Sequence, residues 1–96
     1  MEEVKLISKH PNLRTLIEGA IAAALQSTEV GIRRTSDRLQ EFEAKYELST
    51  EDFLRRFNNN EFQHTLDFDE WMGEAWMLES LLKDKDRIKE IEYHRG

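Results

Sequence analysis

Cysteine is absent, proline occurs once and glycine four times in a chain of 96 residues. Without cysteine there is no disulfide, no thiolate zinc site and no cysteine nucleophile. So few prolines and glycines exclude a turn-rich all-β fold, whose hairpins draw on both. No apolar run approaches the ~18 residues that cross a bilayer. The opening residues, Met1-Glu2-Glu3-Val4, have neither the basic segment nor the apolar stretch of a signal peptide. A soluble cytoplasmic protein with no membrane partner is therefore expected, as a single domain with one modest core.

Apolar residues make up 39% of the chain and charged residues 35%, a polar balance that still supports a folded core. The net charge of −6 is concentrated in 51–79, where eight acids face only Arg55 and Arg56. That acidic centre repels a phosphate backbone, so nucleic acid is not expected as the main partner. It suits a basic protein.

Residues 1–11 form an N-terminal arm with Val4, Leu6 and Ile7, closed by Pro11. Asn12 is a suitable N-cap for a long helix over 12–46. Leu13, Leu16, Ile17, Ala20, Ile21, Ala24 and Leu25 keep helical spacing. From Leu25 the steps alternate three and four through Thr28, Ile32, Thr35, Leu39, Phe42 and Tyr46, the a and d positions of a coiled-coil-like seam. Gly31 is the position where this helix would bend or break. A helix of this length carries a stripe that two shorter helices cannot cover. Self-association through Leu25, Thr28, Ile32, Thr35 and Leu39 is expected, as a homodimer or a higher hetero-oligomer.

Ser49 and Asp52 are spaced as in a capping box, and Leu48 and Phe53 as in a hydrophobic staple. They start a short helix over 49–58 that ends in Asn58-Asn59-Asn60, three residues that favour turns. A medium third helix is expected over 67–92, with Asp67, Asp69 and Glu70 in its first turn, where the helix dipole favours acids. Trp71, Ala75, Leu78 and Leu82 mark its apolar stripe. The expected fold is all-α: a long N-terminal helix, a short one and a medium one in a helical, coiled-coil-like bundle.

Eight of the nine aromatic residues lie in 42–76 and should form the junction of the three helices. Trp71 and Trp76 stand five residues apart, ~140° around a helix, so both cannot face one core. One of them is expected to face a partner.

Several arrangements invite a catalytic reading. His64 with Asp67, Asp69, Glu70 and Glu74 offers carboxylates to a hard cation, but the spacing matches no calcium loop. Arg87 and His94 resemble the arginine–spacer–histidine pair of HEPN-type RNases, although His94 stands near the end of the sequence. Arg33, Arg34 and Arg38 form the one basic patch, interleaved with Asp37 and Glu41 as in helix-surface ion pairs. No set amounts to an active site. An enzyme is not expected, nor a metal or cofactor.

Three segments carry a resemblance. They are Arg34-Thr35-Ser36-Asp37-Arg38-Leu39-Gln40-Glu41-Phe42-Glu43-Ala44-Lys45-Tyr46, Ser49-Thr50-Glu51-Asp52-Phe53-Leu54-Arg55-Arg56-Phe57, and Leu66-Asp67-Phe68-Asp69-Glu70-Trp71. Across roughly residues 20–92 the chain resembles small helical prokaryotic antitoxins, the partners of TumE-type toxins. Glu47 stands where that pattern has glycine, and Asn58-Asn59-Asn60 replaces an acidic-glycine turn. Both departures concern turns. The resemblance implies an antitoxin that binds a cognate basic, RNase-like toxin and occludes its active site. The alternative is a helical adaptor that assembles through its long helix. The contact is expected at Asp67, Asp69, Glu70, Trp71, Glu74 and Trp76, where acids, tryptophans and a helix N-terminus coincide, with Gly73 leaving a gap for an incoming side chain.

Overall fold

Three helices account for nearly all of residues 12–95, which the computed structural model describes, with side chains through residue 91. The N-terminal arm lies outside the described residues. Helix α1 spans Leu13–Tyr46, α2 spans Thr50–Asn58 and α3 spans Leu66–Arg95. There is no strand among the described residues. The all-α reading holds, with the third helix longer than expected, at 30 residues against 34 for α1.

α1 runs unbroken through Gly31. The helix tolerates it because a neighbour needs the space: a Cβ at Gly31 would lie 3.2 Å from Leu81 Cδ1. Asn12 precedes α1 but makes no side-chain cap, because its backbone sits at φ −84° and ψ 7°. A capping side chain reaches the first turn from an extended conformation. At the other end Glu47 takes the left-handed conformation, φ 51° and ψ 50°, with its N–H bonded to Glu43 O. Glycine would take this conformation without steric cost.

Ser49 caps α2, accepting from Asp52 N at 3.1 Å. Glu43 reaches across from α1 and accepts from Thr50 N at 2.8 Å, satisfying a second first-turn donor. α2 ends among the asparagines, with Asn60 at φ 61°. Thr65, overlooked in the sequence, caps α3 by accepting from Phe68 N at 3.0 Å.

α1 and α3 pack antiparallel into a hairpin. Lys45 meets Asp67, Arg38 meets Glu70, and Glu29 meets Lys85 at 3.3 Å, so α3 numbers rise as α1 numbers fall. The described residues measure 60 × 24 × 22 Å. α2, about 13 Å long at 1.5 Å per residue, covers one end of that hairpin and leaves the rest two helices thick.

The core sits under α2. Leu39, Phe42, Phe53, Phe57 and Trp71 are buried, with Phe62 and Phe68 packed against them. Trp71 lies flat on Phe53 with centroids 3.9 Å apart, and Phe42 stacks on its ring at 5.5 Å. The expected aromatic junction of three helices is present, and Trp76, at 64% exposure, stays outside it.

Candidate functional site

The two tryptophans separate as helix geometry requires. Trp71 is 0% exposed and Trp76 is 64% exposed. Trp71 is thereby corrected from a partner-facing residue to the centre of the core. Its indole N–H is satisfied within the chain, donating to Thr50 Oγ1 at 3.0 Å.

Three of the expected partner-facing acids are also engaged at home. Asp67 accepts from Lys45 Nζ and Tyr46 Oη, both at 2.6 Å. The Lys45 ammonium, followed by the Tyr46 hydroxyl, holds the Asp67 carboxyl below the usual carboxylate range. In return Asp67 raises Lys45 and Tyr46 above their ordinary values. Glu70 takes Arg38 in a fork, from Nε at 2.8 Å and Nη2 at 2.6 Å. Arg38 also donates to Glu41 at 2.7 Å, so Glu70 first and then Glu41 raise its pKa. The Arg38 guanidinium lies 4.6 Å from the Phe42 ring centroid. Asp69 meets His64 Nδ1 at 2.8 Å. These contacts tie α3 to α1 and to the preceding loop. These carboxylates have partners within the chain, which the local charge count could not reveal.

Glu74 points elsewhere. It borders a shallow depression with Val30, Arg33, Arg34, Asp37, Arg38 and Glu41. Of the three arginines expected to pair along the helix, Arg38 does, while Arg33 and Arg34 make no ion pair among the described residues.

The seam expected to face a second copy is buried within the chain over part of its length. Thr35 and Leu39 are buried, and Leu25, Thr28 and Ile32 are half-buried. Thr28 turns its hydroxyl back to Ala24 O at 2.8 Å. The third helix covers this stripe because α2 and its turns tether α3 beside α1, and an intramolecular neighbour wins over a dissolved one.

An apolar groove remains. It holds about 440 Å³, floored by Leu39 of α1, Leu54 of α2, and Ala75, Leu78 and Leu82 of α3. Trp76 forms one side, and Thr50, Glu51 and Glu79 complete the rim. Leu82 is 46% exposed there. Glu51 and Glu79 are exposed, and neither side chain has an ion-pair or hydrogen-bond partner among the described residues. Of the expected contact residues only Trp76 belongs to this groove. Ala75, Leu78 and Leu82 were legible as an i, i+3, i+7 stripe. That α2 stops short of covering it was not.

No group of three metal-ligating side chains occurs among the described residues. The Arg87–His94 pair cannot be placed, because the His94 side chain lies outside the described residues. No helix among the described residues is long and apolar enough to cross a membrane. Compared with protein-family models, curated proteins and solved structures, the chain finds no match.

Proposed function

We propose that this chain is a protein-binding module that acts by occlusion and not by catalysis: an antitoxin-like partner of a basic, RNase-type toxin in the cytoplasm. The observation that carries the reading is Trp76, a tryptophan left 64% exposed at the edge of an apolar groove. A monomer gains nothing from that exposure, and tryptophan is among the residues enriched at binding hot spots. The rim carboxylates Glu51 and Glu79 complement a cationic surface and speed its approach. The resemblance of 34–71 to antitoxin sequences points to the same class of partner.

Co-expression with the product of the adjacent gene tests this. The neighbour should be toxic alone, be silenced by this chain and co-purify with it. Trp76→Ala should weaken the complex at least about 30-fold, the equivalent of ~2 kcal/mol. A harmless neighbour that does not co-purify overturns the reading.

One observation favours the second reading, an adaptor that assembles with itself. Leu16, Ile17 and Ile91 are 64%, 46% and 54% exposed, all on the part of the hairpin that α2 does not reach. Light scattering that shows a strict monomer at tens of micromolar removes this reading.

A further inference from the structure

We infer that the occupant of the groove beside Trp76 is an amphipathic α-helix whose apolar stripe is flanked by lysine or arginine. This rests on the reading of the chain as a binding module and specifies the form of its partner.

Shape comes first. The α3 floor runs from Ala75 to Leu82, about 10 Å or two helical turns. Leu39 of α1 and Leu54 of α2 line the same groove. An α1–α3 pair with α2 at its end is a three-helix bundle with its third position filled over part of its length. A guest helix placed there would continue the layer that α2 begins, with side chains at i, i+3 or i+4, and i+7 entering the apolar floor.

Backbone chemistry selects the same form. There is no strand among the described residues, so the groove offers no sheet edge. An extended segment laid on Leu78 and Leu82 would bury peptide groups with no partners, whereas a helix brings its hydrogen bonds with it.

Charge selects the flanks. Asp67, Asp69 and Glu70 are already held by Lys45, His64 and Arg38. Glu51 and Glu79 are unpaired and stand on two different helices of the rim. The next cation on α3, Lys83, is absent from the groove lining. A guest with cations beside its apolar stripe meets both carboxylates, and the Trp76 face offers a further cation site.

The test uses the full chain and a synthetic helical peptide of about 14 residues, four turns, with leucines on one face and lysines flanking them. Its comparison peptides replace lysine by glutamate, or place a proline at the centre. Calorimetry should give a saturable Kd of tens of micromolar for the basic helix, and binding at least about 10-fold weaker for both comparisons. Trp76 emission should shift to the blue as the site fills. Leu82→Asp should abolish binding, and the double variant Glu51→Lys with Glu79→Lys should reverse the preference, taking the glutamate peptide over the lysine one. Both glutamates are exposed, so circular dichroism should show the fold unchanged. Absence of binding at about 1 mM, equal binding of the proline peptide, or an unreversed preference overturns the proposal. Where these peptides fail but Trp76→Ala still releases a co-purified partner, the helical occupant falls and the binding reading stands. Where no partner is captured but the helix binds, the helical occupant stands and the toxin-neutralising reading falls.

Discussion

Trp71 and Phe53 lie face to face, centroids 3.9 Å apart and planes within 1°, each with no exposed surface. This contact joins α3 to α2 and closes the covered end of the hairpin. Truncating Phe53 leaves a cavity against the largest buried ring. Phe53→Ala should therefore cost about 3–5 kcal/mol in urea unfolding, whereas Trp76→Ala, on the solvent side of α3, should change stability by less than about 0.5 kcal/mol. Equal losses would mean that the core does not sit where the rings place it.

The Trp71 indole N–H has one acceptor, Thr50 Oγ1. Thr50→Val keeps the volume and removes the acceptor, stranding a buried donor at a cost of about 1–3 kcal/mol. Thr50→Ser should recover most of that loss. In a double-mutant cycle with Trp71→Phe, which removes the donor, the penalty of Thr50→Val should shrink by at least about 0.5 kcal/mol. Additive losses would show that the hydrogen bond does not couple the helices.

Glu47 holds a left-handed backbone at φ 51°, which crowds its Cβ against the peptide. Glu47→Gly should stabilise the chain by about 1 kcal/mol despite the greater freedom of glycine when unfolded. Asn60 sits at φ 61°, but asparagine adopts that region readily, and Asn60→Gly should gain less. Thermal unfolding of both variants reads the difference.

Gly73 and Gly31 are both helical, yet alanine should affect them differently. A Cβ at Gly73 meets nothing within 4 Å, while one at Gly31 comes to 3.2 Å of Leu81 Cδ1. Gly73→Ala should gain close to the full helix-propensity difference of about 1 kcal/mol. Gly31→Ala should gain less, because Leu81 must move. A larger gain at Gly31 would place the helices further apart than found.

The Lys45–Tyr46–Asp67 cluster sets a pH window. Asp67 is lowered in the folded chain, so its contribution is present above the ordinary carboxylate value and disappears as pH falls through the lowered one. Lys45 and Tyr46 are raised, so theirs are present below their ordinary values and disappear as pH rises through the raised ones. The stability difference between the wild type and Asp67→Asn should thus be flat from about pH 5 to 9 and shrink on both sides. Denaturant midpoints across that range test it, and a difference independent of pH would show that the charge on Asp67 contributes nothing.

Local features of the sequence determined the helices. The three–four stepping of Leu25 to Tyr46 marked the buried side of α1, Ser49 and Asp52 marked the start of α2, and the asparagine run marked its end. These signals are legible because helix periodicity, capping and turn preference act between residues a few positions apart. The crowding of aromatics in 42–76 likewise announced where the helices converge. Partner choice among the faces is a long-range matter, and only the tertiary structure decided it. Nothing near Asp67 or Glu70 in the chain says that Lys45 and Arg38 will arrive to neutralise them, 22 and 32 residues away. Nothing near Leu39 says that its seam will be covered by α3 of the same molecule. The angle between Trp71 and Trp76 required one of them to be outside, but which one depended on where Phe53 came to rest. The exposed Trp76 and the groove beside it follow from that packing, because α2 is too short to extend the core along the hairpin.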